Sequence, residues 1–155
     1  MSKTKKKIIL IGRSTAGKTT LIQRITDRKL EYSKTQALNV IDNYIFDTPG
    51  EYLERVTLRG ALTVTSADAD VIVLVKDAKE ETSLFPPSYS SLFLRKPVIG
   101  VVTKIEDASV KELDESKDAL ILAGAQEVYL VSAYTGEGID AFIEGIQKTR
   151  KAEVE

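Results

Sequence analysis

The stretch Lys6–Arg28, KKIILIGRSTAGKTTLIQRITDR, decides how the rest of the chain is read. Ile8, Ile9, Leu10 and Ile11 form an unbroken apolar run, the pattern of a strand buried on both faces of a parallel sheet. Leu21, Ile22 and Ile25 recur at helical spacing. Between them, Gly12-Arg13-Ser14-Thr15-Ala16-Gly17-Lys18-Thr19 fits G-x-x-x-x-G-K-S/T. A chance glycine turn is the plain alternative, but a strand before and a helix after form the context that marks a phosphate-binding loop.

The residue types suit that chemistry. Gly12 and Gly17 free the backbone so that successive N–H groups can turn inward onto an anion. The helix starting near Lys18 adds unpaired N–H groups and the positive end of its dipole. Lys18 can reach the β- and γ-phosphates, and the Thr19 hydroxyl can ligate Mg²⁺. Residues Gly12 through Thr20, including Arg13, Ser14, Thr15 and Ala16, are therefore the expected phosphate contacts.

Composition sets the outer bounds. The chain has 155 residues, enough for one domain with one core, expected here over residues 1–155 with the packed part at about 6–149. A hydrophobic content of 43% with 29% charged residues is that of a soluble globular protein, and a cytoplasmic location is expected. A net charge of −1 gives no broad drive toward nucleic acid or anionic membrane. With no cysteine and no histidine, disulfides, thiol chemistry and histidine acid–base catalysis are excluded, and a zinc site is disfavoured. No run reaches membrane-spanning length. Lys3, Lys5, Lys6 and Lys7 read as a solvated leader to the first strand.

Strands and helices then alternate, as in a mostly parallel sheet covered on both faces, so the fold class is α/β in three layers. Expected strands are Lys6–Ile11, Tyr44–Phe46, Val71–Val75, Pro97–Thr103 and Glu127–Val131. Expected helices are Lys18–Asp27, an irregular Tyr52–Ala67 with Leu53, Val56, Leu62 and Val64 inward, a short Tyr89–Leu94, Val110–Ala123 with Val110, Leu113, Leu120 and Ile121 inward, and Gly138–Thr149. Gly124 is the expected C-cap. Lys29–Asn39 reads as a polar loop, and Pro86-Pro87 rules out a long helix there.

Three further segments fall at strand ends, where parallel α/β sheets gather their ligands. Asp47-Thr48-Pro49-Gly50 places a carboxylate to hold Mg²⁺ and a glycine whose N–H can approach a γ-phosphate. Thr35 is the candidate for the remaining Mg²⁺ bond, from a loop that closes on the γ-phosphate. Thr103-Lys104-Ile105-Glu106 offers a carboxylate that accepts from guanine N1–H and the 2-amino group, with the lysine stem along the base. Ser132-Ala133 offers a backbone N–H to guanine O6.

Taken together, GRSTAGKT, KTQA, DTPGEYLE, TKIE and SAYTG resemble the small Ras-like GTPases, and in detail the EutP/PduV family of ethanolamine and propanediol utilisation. The resemblance runs from about Lys7 to Ile146. It implies a P-loop NTPase fold, GTP or GDP with Mg²⁺ (ATP as the alternative), and a protein partner at bacterial microcompartments. By position it gives Gly12, Gly17, Lys18 and Thr19 to phosphate and metal, Asp47 and Gly50 to metal and γ-phosphate, and Lys104, Glu106, Ser132 and Ala133 to the base. Three departures follow. Thr103 stands where most GTPases have Asn, which removes a bond tying this loop to the phosphate loop, and Glu106 stands for Asp. Glu51 stands for the water-positioning Gln, so with Lys18 it forms the catalytic pair, and hydrolysis is expected to be slow because a carboxylate adds charge beside the γ-phosphate. The short switch loop and the Pro86-Pro87 region imply a different effector surface.

Three functions compete. One is a slow GTP-dependent switch whose turnover needs an outside arginine; Arg13 serves only if it points at the phosphates, and otherwise it is solvated. The second is a phosphotransferase moving phosphate between ATP and a short acid such as acetate, against which the sequence shows no second cationic cluster. The third is a nucleotide-stabilised docking protein using Tyr52–Arg59 and Phe85–Phe93.

Overall fold

A computed structural model describes residues 7–35, 45–48, 50–55, 57, 59–80, 83–93 and 96–149. Five strands, β1 (Ile8–Ile11), β2 (Ile45–Asp47), β3 (Val71–Asp77), β4 (Val98–Thr103) and β5 (Val128–Leu130), form one sheet in the order β2-β1-β3-β4-β5. Every pairing is parallel. Among the described residues the accompanying helices are α1 (Lys18–Thr35), α2 (Glu51–Glu54), α3 (Arg59–Thr65), α4 (Val110–Leu122) and α5 (Ile139–Lys148). Short 3-10 helices occupy Ser66–Asp68, Tyr89–Phe93 and Ile105–Asp107.

Alternation along the strands divides the core. Ile8, Leu10, Val71, Val73 and Val75 face the layer of α1 and α5, where Leu21, Ile25, Ile139, Phe142 and Ile146 are buried. Ile9, Ile11, Ile72 and Leu74 face the opposite layer, where Leu53, Leu62 and Leu120 pack with Phe85, Tyr89 and Phe93. Each fully buried Leu, Ile or Phe contributes about 1.5–3 kcal/mol, so both helical layers are fixed to the sheet by side chains at helical spacing. The expected three-layer α/β architecture is the observed one.

Several boundaries differ from the sequence reading. Helix α1 continues to Thr35, through the segment expected to be loop from Lys29. The expected Tyr52–Ala67 helix is broken into α2 and α3, and Val64 is 77% exposed rather than inward. In α4, Val110 and Ile121 are exposed; Ser116 and Leu120 take the buried face, with Leu113 partly covered. A lone apolar pattern cannot tell which of two possible stripes meets the sheet. Val56 lies outside the described residues. Gly124 does follow α4 with φ +109°, and the Gly124 and Ala125 amides donate to Ile121 and Leu120 carbonyls, a C-terminal cap.

Candidate functional site

β1 ends at Ile11 and α1 begins at Lys18, so residues 12–17 cross the carboxyl edge of the sheet between β2 and β3. Gly17 has φ +91°, a conformation that side chains rarely adopt. Lys18 is 4% exposed, and its Nζ turns back into the loop, donating to the carbonyls of Gly12 (2.8 Å) and Arg13 (2.7 Å). A nearly buried ammonium aimed into a glycine-bounded loop is the expected placement for a phosphate-binding lysine. Thr19 and Thr20 are exposed on the first turn of α1.

The segment after β2 lies directly on this loop. Leu10 of β1 pairs in register with Asp47, and Thr48 is fastened to Leu10, whose carbonyl accepts from both its N–H (3.3 Å) and its hydroxyl (2.8 Å). Gly50 then presses on Ser14: a Cβ on Gly50 would fall 2.1 Å from the Ser14 nitrogen. One turn further, the Glu54 carboxylate accepts a 2.7 Å hydrogen bond from the Ser14 N–H. That amide holds the Glu54 carboxyl below its ordinary range against a slight loss of solvation, with help from the Ser14 hydroxyl and the charges of Lys18 and Arg13. Neither the sequence motif nor the resemblance pointed to Glu54; its four-residue offset from Gly50 was the available signal.

The loops after β4 and β5 join the same edge. The buried Thr103 hydroxyl donates to the Ala16 carbonyl at 2.6 Å, with Lys76 O a longer 3.4 Å away. The threonine therefore restores the tie to the phosphate loop that the missing Asn was expected to remove. Lys104 sits at φ +62°, and its Nζ donates to the Thr15 carbonyl (2.8 Å) and pairs with Asp77 (3.1 Å). Glu106 is exposed in the 3-10 turn beyond it. In the neighbouring loop Ser132 is fully buried; its Oγ accepts from the Thr135 N–H and its carbonyl from the Gly136 N–H. The Ala133 N–H takes no part in these bonds.

Two expectations are corrected. Arg13 is not simply a solvated side chain: it is partly exposed, and its Nε lies 3.1 Å from a carboxylate oxygen of Glu80. Burial pushes the Glu80 carboxyl up against the pull of Arg13 and Lys76, and burial likewise pushes the Lys76 ammonium down. Thr35 ends α1, roughly 24 Å along the helix from Thr19, so in this conformation it does not share a metal with it. The side chains of Asp47 and Glu51 lie outside the described residues.

The fold also gathers lysines that the sequence leaves apart. A cavity of about 420 Å³ beside Glu80 is lined by Lys76, Lys79 and Lys111, but Glu80, Glu112 and Glu115 line it too. Lys76 already donates to Asp77 O, Glu80 O and the Ser116 hydroxyl. The cavity therefore carries no surplus of positive charge to draw in an acid. Among the described residues no helix is long and apolar enough to cross a membrane.

The chain is 42% identical over 135 residues to the propanediol utilization protein PduV of Citrobacter freundii, covering 87% of this chain and 89% of that one. It is 35% identical over 107 residues to the probable acetate kinase EutP of Salmonella typhimurium, covering 68% and 67%. In fold it superposes on the translation elongation factor SelB of Methanococcus maripaludis, solved with the GTP analogue GPPNHP, with a TM-score of 0.68 and 20% identity. That match covers 99% of this chain and 36% of SelB, so the chain spans about a third of the solved protein. The family model for ethanolamine utilisation and propanediol utilisation matches residues 5–148, and the chain belongs to this PduV–EutP family.

Proposed function

We propose that the chain binds GTP or GDP with Mg²⁺ and acts as a slow GTP-hydrolysing switch, cytoplasmic and serving a metabolic microcompartment through a protein partner. The observation that carries this reading is the tying of two loops into one cradle: Thr103 onto Ala16 and Lys104 onto Thr15 join the end of β4 to the glycine-bounded loop, into which Lys18 folds back onto Gly12 and Arg13. Phosphate and base subsites are thereby held in fixed relation. The SelB structure with a GTP analogue supports the guanine nucleotide, and family membership supports the setting.

In this reading Lys18 exchanges its two loop carbonyls for β- and γ-phosphate oxygens, and the amides of residues 12–20 hold the rest. Gly50 brings its N–H to the γ-phosphate. Thr19 and Asp47 would hold Mg²⁺, which supplies charge neutralisation across the phosphates. Glu106 accepts from guanine N1–H and the 2-amino group, Lys104 lines the base, and the Ala133 N–H meets O6. Glu51 orients the attacking water, and its negative charge keeps turnover slow. Arg13, engaged by Glu80, supplies no internal finger, so acceleration comes from a partner. A role for Thr35 requires the last turns of α1 to unwind.

A second reading, phosphate transfer between ATP and a short acid such as acetate, is favoured by the similarity to EutP of Salmonella typhimurium, a probable acetate kinase. The experiment that separates them measures phosphate release from GTP and from ATP, with and without acetate. The switch reading expects slow GTP turnover that ignores acetate and is lost in Lys18→Ala. An acetyl phosphate product from ATP and acetate would replace it with the transferase reading.

A further inference from the structure

Glu54 is unexpected in its position. It belongs to the one-turn helix α2, whose Leu53 is 2% exposed in the core and whose Leu53 and Glu54 amides both donate to the Gly50 carbonyl. Leu53 thus anchors the turn, and the Gly50 backbone lies against Ser14 with no room for a side chain between them. The outcome is a carboxylate delivered 2.7 Å from the Ser14 nitrogen, inside the phosphate loop. Its charge lies within the influence of Lys18 and Arg13, two cations of the same loop. An anion-binding loop whose amide is already bonded to the protein's own anion is in competition with any anion arriving from outside.

Resting on the reading of the loop as a nucleotide site, we propose that Glu54 is an internal competitor for the terminal phosphate, a residue that sets the preference between tri- and diphosphate nucleotides. The γ-phosphate enters beside Gly50, the residue that packs on Ser14. The β-phosphate lies deeper, toward Lys18. A fixed negative charge on Ser14 therefore penalises the triphosphate more than the diphosphate. Triphosphate binding must move the Glu54 side chain off the Ser14 amide, and because Glu54, Leu53 and Gly50 form one turn, that displacement is passed to the segment 50–54. The γ-phosphate is thereby sensed by what it evicts as well as by what it contacts.

The charge and the hydrogen bond separate experimentally. Glu54→Gln keeps the shape and an acceptor oxygen but removes the charge; Glu54→Ala removes both. Glu54 is exposed, and neither change disturbs the core. Affinities for GPPNHP and GDP, each with Mg²⁺, are measured by calorimetry for the full chain and both variants at low and high salt. Both variants should tighten GPPNHP by about threefold to tenfold while leaving GDP within about twofold, the range for a solvent-screened charge. The gain should shrink at high salt. Unchanged selectivity in both variants, or weaker GPPNHP binding, overturns the proposal while leaving the nucleotide site standing. Wild-type protein that binds neither ligand overturns the site itself, and the proposal with it.

Discussion

The Thr103 hydroxyl lies 2.6 Å from the Ala16 carbonyl, joining the carboxyl end of β4 to the middle of the phosphate loop across 87 residues of chain. Both residues are buried, so the bond has no water to replace it. Thr103→Val keeps the shape and leaves the Ala16 carbonyl unpaired, a loss of about 1–3 kcal/mol. Urea unfolding checks this, and Thr103→Ser should retain most of the stability. Nucleotide affinity should fall in the valine variant beyond what the stability change accounts for, because the loop proposed to hold the base loses its register with the glycine-bounded loop.

Gly50 meets Ser14 too closely for any side chain. Gly50→Ala must push the 50–54 turn away from the loop, and overpacking of this kind costs about 1–3 kcal/mol. Thermal unfolding measures that cost. The same variant should lose discrimination between GTP and GDP, since the N–H proposed to meet the γ-phosphate moves with the turn.

The Glu54 bond to Ser14 gives a dependence on pH. The Glu54 carboxyl is held below its ordinary 4.5, chiefly by the Ser14 amide and secondarily by the Ser14 hydroxyl, Lys18 and Arg13. Between the lowered folded value and 4.5 the unfolded chain binds more protons, so the contribution is complete above that window and is lost as pH falls through it. In an NMR titration the Ser14 amide resonance should therefore move with a midpoint below 4.5. Glu54→Gln should abolish that movement.

A control comes from α4. Ser109 and Glu112 form a reciprocal cap, the Glu112 N–H donating to the Ser109 hydroxyl at 3.1 Å and the Ser109 N–H to the Glu112 carboxylate at 2.9 Å. Ser109→Ala should cost about 0.5–2 kcal/mol in urea unfolding. In calorimetry it should change nucleotide affinity far less than Thr103→Val, because Ser109 ends the loop after β4 but its cap bonds run to Glu112 and not to residues 12–18.

The parts of this molecule that could be read in advance are those where one local pattern has one physical meaning. Ile8–Ile11 and Val71–Val75 are apolar on both faces and are buried strands. Gly17, Lys18 and the strand–loop–helix context gave the loop, and Leu21 and Ile25 gave the buried face of α1. What could not be read depends on contacts distant in sequence. Residues Lys29–Thr35 are mostly polar and carry no clear helical stripe, yet they continue α1. Val110 and Ile121 look inward by spacing, but the sheet meets the stripe of Ser116 and Leu120 instead. The role of Thr103 was hidden because the Ala16 carbonyl it holds is 87 residues away, and Arg13 found Glu80 by the same long-range folding.

The most direct test of the account is the melting temperature of the chain with saturating Mg²⁺–GTP and Mg²⁺–ATP. A ligand held only by the folded loop, at about a hundred times its dissociation constant, should raise the wild-type melting temperature by about 5–10 °C. The rise should be larger with GTP than with ATP, and Lys18→Ala should melt at one temperature with or without either nucleotide. A wild-type melting temperature that neither nucleotide moves would contradict the claim that this loop holds a nucleotide's phosphates.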